Sequence, residues 1–247
     1  MPIPRIYHNE QLAILSEVTL FENSSYHIIK VLRLKTDDVF IIFNGDGNEY
    51  KAKITKINKD IATATILELI RQESINSPLI HLHQSVLRSE KMEYTIQKST
   101  ELGVNTITPI FTERCNISLD KDRLSKRITR WQTIANNASE QSLRTTVPKI
   151  MEPQNLYQLL RSKSCDLLLI LHPDAKTSLA GFLTNLSNTP KSVSLLIGPE
   201  GGLSDLEIDL TKKHNTTFVN LGPRILRTET AALVAISIIQ SIVGDLK

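Results

Sequence analysis

Two short stretches carry the residue types that could do chemistry. One reads Gly198-Pro-Glu-Gly-Gly202, the other Leu221-Gly-Pro-Arg-Ile-Leu-Arg-Thr-Glu-Thr-Ala231. Each follows an apolar run and each opens on Gly-Pro, so two buried strands end at sharp turns. Glycine lets a backbone come close to a ligand and take positive φ, and proline stiffens the turn beside it. Ligands of open α/β sheets sit beyond the carboxyl ends of strands, so the two turns together suggest one pocket built from loops. Glu200, Arg224, Arg227 and Glu229 give that pocket charge. The Gly-x-Gly-x-x-Gly fingerprint and the phosphate loop ending in Gly-Lys-Ser/Thr are both absent. A site of this kind would hold a nucleoside through backbone groups rather than cradle a phosphate. Alternatively, each turn alone is a tight strand-to-helix connection with no ligand.

Positioning such loops requires alternating strands and helices, and the chain from Leu79 onward has that pattern. Leu79–Val86 reads as a strand and Glu90–Leu102 as a helix, with Gly103 at a left-handed C-cap. Thr106–Ile110 is a strand. Leu124, Ile128, Trp131, Ala135 and Ala138 recur at helical spacing. Leu156, Leu159 and Leu160 mark a shorter helix. Asp166–Leu171, Val193–Ile197 and Phe218–Leu221 are further strands. Leu179, Phe182, Leu183 and Leu186 share a helical face, Ser204 and Glu207 form a capping box, and Glu229–Val243 is the last helix. Buried strands alternating with helices imply a mostly parallel sheet covered on both faces. Residues 1–70 differ: Val39–Phe43, Tyr50–Ile57 and Ile61–Ile70 read as a three-strand meander, Asn44–Asn48 as a turn, and Tyr26–Arg33 as a helix. That unit is a small closed or half-closed barrel. The polar segment Arg71–Pro78 is the linker.

The chain has 247 residues and a net charge of +3, but the charge is uneven. Residues 71–165 carry 14 Lys/Arg against 9 Asp/Glu, concentrated in Lys121–Arg130. A basic face of this size suits RNA phosphates and suits a solvated helix equally. Cys115 and Cys165 fall in no paired motif, which points to plain thiols and no zinc site. His81 and His83 alternate on one strand face as a metal pair would, but no third ligand stands near them, so no metal is expected. The N-terminus has no apolar run like a signal peptide. The final apolar helix is broken by Ser237, Gln240 and Ser241 and is shorter than the ~18 residues of a membrane span. The expected location is cytoplasmic.

At these residues the sequence resembles the RsmE family, SPOUT-class methyltransferases that use S-adenosylmethionine to modify N3 of a uridine in 16S rRNA of the small ribosomal subunit. Besides the two loops, Arg5-Ile-Tyr7, His27–Arg33, Lys98–Val104, Thr112-Glu-Arg114, Trp131 through Ala138–Gln141 and Arg144 follow the family's order. Cys115 stands where the family leads one to expect serine. The resemblance implies a PUA-like β-barrel RNA-binding domain over residues 1–72 and a SPOUT methyltransferase domain with a deep trefoil knot over 73–247. It implies a homodimer whose second subunit completes each pocket; the apolar Ala231–Ile239 face would suit that interface, or simple burial against its own sheet. Leu196, Ile197, Gly198, Glu200, Gly201, Gly202, Leu221, Gly222, Ile225, Leu226, Thr228 and Thr230 would hold the cofactor. Arg227, Glu200 and Arg114 are the candidate catalytic residues, and Arg5, His27, Arg33 and Arg144 the candidate RNA contacts. N3 of uracil is protonated and lies on the pairing edge, so the base must be unpaired or extruded and the proton removed. Arg227 would stabilise charge on the uracil oxygens; otherwise it pairs with Glu229 or Glu200 and only shapes the loop. Glu200 would take the proton or touch the cofactor. Arg114 would act at a strand end or pair with Glu113 or Glu140. Two other readings remain open: a SPOUT enzyme methylating a ribose 2′-oxygen of tRNA, and a non-catalytic RNA-binding assembly factor.

Overall fold

The computed structural model describes residues 3–73, 78–115, 121–161 and 165–246. These divide into two compact units, residues 1–74 with 136–147, and residues 75–135 with 148–247. Half of the expected linker, residues 74–77, lies outside the described residues, while Arg71 and Gln72 end a strand.

The first unit is built on one sheet. Its strands are β1 (Arg5–Tyr7), β2 (Glu17–Thr19), β3 (Val39–Phe43), β4 (Asn48–Asn58) and β5 (Ile61–Gln72). The expected meander is β3, β4 and β5, antiparallel throughout. Two strands too short to show a period extend it to the order β1-β3-β4-β5-β2, with β1 parallel to β3. Among the described residues no ladder joins β1 to β2, so the sheet is open at those edges. Between the sheet strands lie α1 (Glu22–Tyr26) and a single π turn, His27–Val31. Ile28 enters the core from that turn and packs with Ile6, Leu20, Phe40, Ile42, Ala52, Ile54, Ala64 and Ile66.

The second unit holds β6 (Leu79–Ser85), α2 (Ser89–Glu101), β7 (Thr106–Phe111), most of α3 (Lys121–Gln141), β8 (Lys149–Ile150), β9 (Gln154–Asn155), α4 (Leu156–Arg161), β10 (Leu167–Leu171), α5 (Leu179–Thr184), β11 (Ser192–Ile197), α6 (Asp205–Lys212), β12 (Thr217–Val219) and α7 (Thr228–Ile242). Its described strands form a sheet in the order β12-β10-β11-β6-β7-β8, with β9 also on β7. All of these pairings are parallel. Alternation on β11 sends Val193, Leu195 and Ile197 into one core with α2, α5 and α7, and Leu196 into a second with α4 and α6. Covered on both faces, β10 reads as an unbroken apolar run and β11 as one interrupted only by the buried Ser194. β12 stops at Val219, earlier than its apolar pattern suggests. Asn220 turns there: its side chain accepts the Gly222 N–H at 2.9 Å and donates to the Ala175 carbonyl at 2.6 Å. The Ser204–Glu207 capping box opens α6. Gly103 has φ +90 directly after α2. Among the described residues no helix is long and apolar enough to cross a membrane.

Candidate functional site

Because β12, β10, β11, β6 and β7 run parallel, their carboxyl ends gather along one edge of the sheet. β11 and β12 both pair with β10. Two strand spacings of ~4.8 Å therefore put the loop after β11 and the loop after β12 roughly 10 Å apart, a gap that suits a nucleoside. In the first loop Gly202 has φ +69 and its N–H closes a turn on the Pro199 carbonyl at 2.9 Å. In the second Gly222 has φ +96. No atom comes within 4 Å of where a side chain would start at either glycine, so both backbones face open space.

The charged side chains fall into a pattern that spacing does not reveal. Arg114, just past β7, donates Nη1 to the carbonyls of Gly201 at 3.0 Å and Leu203 at 3.3 Å. It makes no ion pair with its neighbour Glu113 among the described residues. These two bonds from one nitrogen clamp the first glycine loop. Glu207 strengthens the clamp, because Oε1 accepts the Glu113 N–H at 2.9 Å and Oε2 the Ser204 N–H at 2.9 Å. Lys91, in the first turn of α2, bonds Glu200 and lies 3.7 Å from Glu229. Lys91 holds the Glu200 carboxyl below its ordinary range, which makes Glu200 a weaker proton acceptor than an unpaired carboxylate. Arg227 is exposed at the start of α7. It makes no ion pair within 4 Å with Glu200 or Glu229 among the described residues, so the alternative, a pair that only shapes the loop, does not form.

The other expected cofactor residues divide by which part faces outward. Leu196 and Ile197 are buried in the two cores on opposite sheet faces, so only their backbone could meet a ligand. Leu221 packs partly on the larger core, and Thr228 is buried. Gly198 and Leu226 are half-buried, and Glu200, Gly201 and Thr230 are exposed. Ile225 is 88% exposed, a large apolar side chain left bare in a glycine loop.

The candidate RNA residues separate more sharply. His27 and Arg33 are exposed. Arg5 is not presented to solvent: its side chain is 6% exposed and ion-paired with the equally buried Glu49. Its guanidinium also donates to the carbonyls of Ser139 at 3.2 Å, Glu140 at 2.9 Å and Arg144 at 3.0 Å, and it stacks 4.4 Å from the Phe43 ring centre. Arg5 thus caps the last carbonyls of α3, where a cation is favoured, and an RNA role is displaced by a structural one. Arg144 is half-buried and donates to Thr146 Oγ1 at 3.1 Å. His81 shares a 2.8 Å hydrogen bond with Thr106, and burial lowers the His83 pKa to about 3. Among the described residues no group of three His, Cys, Asp or Glu could hold a metal. Lys91 is the site residue that sequence reading missed; its only signal is that it follows β6, the strand beside β11.

Residues 75–240 match the family model of an RNA methyltransferase domain, and residues 24–67 match that of an RNA methyltransferase PUA domain. The chain is 38% identical to the ribosomal RNA small subunit methyltransferase E of Buchnera aphidicola, over 99% of this chain and 96% of that protein. It belongs to the ribosomal RNA small subunit methyltransferase E family. The Bacillus subtilis member is 34% identical, over 87% of this chain and 86% of its own length. The member from Neisseria gonorrhoeae, solved bound to S-adenosyl methionine, superposes with a TM-score of 0.88 at 34% identity, covering 99% of this chain and all of that one. The fold is therefore the family's α/β methyltransferase fold with an N-terminal PUA-like domain.

Proposed function

We propose that this chain transfers a methyl group from S-adenosylmethionine to N3 of a uridine in 16S rRNA of the small ribosomal subunit, in the cytoplasm. The observation that carries the reading is the pair of glycine loops flanking the end of β10, in a chain whose N. gonorrhoeae relative was solved bound to S-adenosyl methionine. The residues present fit that group. Gly202 and Gly222 leave backbone facing open space, and the exposed Ile225 offers apolar surface that adenosine or a second subunit would cover. The backbones of Leu196, Ile197, Gly198, Gly201, Leu221 and Gly222 would meet the nucleoside, with Leu226, Thr228 and Thr230 beside them. Bound there, the cofactor supplies an electrophilic methyl on sulfonium sulfur.

The protein's own part is positioning and charge. Loss of the N3 proton spreads negative charge over uracil O2 and O4, and that charge is spent as N3 takes the methyl. Arg227, exposed and unpaired with the nearby carboxylates, is free to meet that charge. Arg114 acts by fixing the first loop rather than by touching the base. His27 and Arg33 suit RNA phosphates in the first unit. Knotting of the C-terminal segment and assembly as a dimer belong to this reading. The chain turns back after edge strand β12 to lay α7 against β11, β6 and α2, and Leu233, Val234 and Ile238 on the outer side of α7 stay half-exposed.

The test is incubation with labelled S-adenosylmethionine and unmodified small subunits, followed by mass spectrometry of the digested nucleosides. N3-methyluridine is expected. A 2′-O-methylated nucleoside would move the chain to the ribose-methylating reading, and no label at all would make it a binding factor. Arg227→Ala should leave cofactor affinity intact and lower turnover about a hundredfold, the range for losing one oxyanion donor; normal turnover would remove its catalytic role.

A further inference from the structure

Lys91 sits where one cation can reach both glycine loops. Glu200 lies on the loop after β11, and Glu229 is the second residue of α7, after the loop that follows β12. No strand ladder ties those two loops, since β11 and β12 pair with β10 and not with each other. The Lys91 ammonium bonds Glu200 and stands 3.7 Å from Glu229. Side-chain exposure falls from 63% at Glu200 through 32% at Lys91 to 13% at Glu229. The bridge therefore runs from solvent inward and ends on a nearly buried carboxylate. Oε2 of Glu229 is itself buried without a hydrogen-bond partner, and Lys91 is the one cation within 4 Å of that group among the described residues. A buried carboxylate left without compensation is strongly unfavourable. An ammonium has three donors on one atom and can serve two carboxylates at once. Arg227 bears on the same trio from farther off, drawing on Glu200 and opposing Lys91.

We propose that Lys91 is a positioning residue: by holding Glu200 and Glu229 together it sets the separation of the two glycine loops, and so the fit of the nucleoside between them. This rests on the reading of those loops as the S-adenosylmethionine site. Loss of the ammonium strands Glu229, which then draws α7's first turn toward water and opens the gap. The burden falls on binding, because Lys91 need not touch the reacting atoms.

Calorimetric titration with S-adenosylmethionine, alongside steady-state methylation, separates the outcomes. Lys91→Met should weaken cofactor binding about tenfold or more and raise KM to match, with kcat changed less than about threefold. Adding Glu229→Gln should recover most of the lost affinity, since the stranded charge is gone, and Lys91→Arg should stay within about threefold of the parent. Glu200→Gln, at an exposed position that does not endanger folding, should weaken binding by a few-fold. Parent-like binding by Lys91→Met, or no recovery in the double variant, overturns the bridge while leaving the cofactor site standing. Absence of cofactor binding by the parent chain overturns both.

Discussion

Gly103 offers the sharpest test of how the second unit holds its helices. Its φ of +90 places it in the left-handed region, where an alanine costs ~1–2 kcal/mol. A β-carbon there would also overlap Nε2 of Gln240. Gln240 is 1% exposed. It donates to the Leu102 carbonyl at 2.9 Å and accepts the Asp245 N–H at 3.2 Å, so one amide joins the end of α2 to the end of α7. Pushing it aside breaks that buried bond and strands the Leu102 carbonyl, for about 1–3 kcal/mol more. Gly103→Ala should therefore lose about 3 kcal/mol in urea unfolding. In Gly103→Ala combined with Gln240→Ala the overlap vanishes, so the second substitution should cost less than it does alone. A single variant within about 0.5 kcal/mol of the parent would refute both the strain and the clash.

Arg5→Ala should destabilise the first unit by about 3–5 kcal/mol, because Glu49 is left buried and unpaired; chemical unfolding checks this, and a loss confined to RNA affinity would return Arg5 to the RNA-binding set. His83 has its pKa lowered from 6.5 to about 3 by burial and the nearby His81. The unfolded chain therefore binds the extra proton first, and the stability held by neutral His83 is complete above pH 6.5 and drains away as pH falls toward 3. From pH 7.5 to 5 that amounts to about 2 kcal/mol, and His83→Gln should lack this part of the acid slope; equal slopes would contradict it. Arg114→Ala frees the carbonyls of Gly201 and Leu203 and should weaken S-adenosylmethionine binding about tenfold by calorimetry, with little change in the denaturation midpoint.

Legibility followed sequence distance. The parallel sheet, the antiparallel meander, the Gly103 cap and the Ser204–Glu207 box were all readable, because each rests on local period or on residues within one turn. β1 and β2 were not, since three residues show no period and their pairing is decided by distant partners. Arg5 looked like a surface cation because the carbonyls it caps lie more than 130 residues away. Lys91 could be placed only once β6 was known to lie beside β11. Arg114 stands at a strand end, as its place after Thr106–Phe111 implies, yet its partners are backbone oxygens, which side-chain types do not announce.

The first unit draws on two separate parts of the chain. Residues 136–147 complete it: Glu140 accepts the Tyr7 N–H at 2.7 Å, and Thr146 bridges to Gly45 and Asp46. During synthesis the amino-terminal segment emerges first but lacks these partners until residue 147 has left the ribosome. A fragment cut at residue 74 would keep Arg5 paired with Glu49 but without the three carbonyls it serves, so biochemists who want this unit by itself must splice the later segment back in.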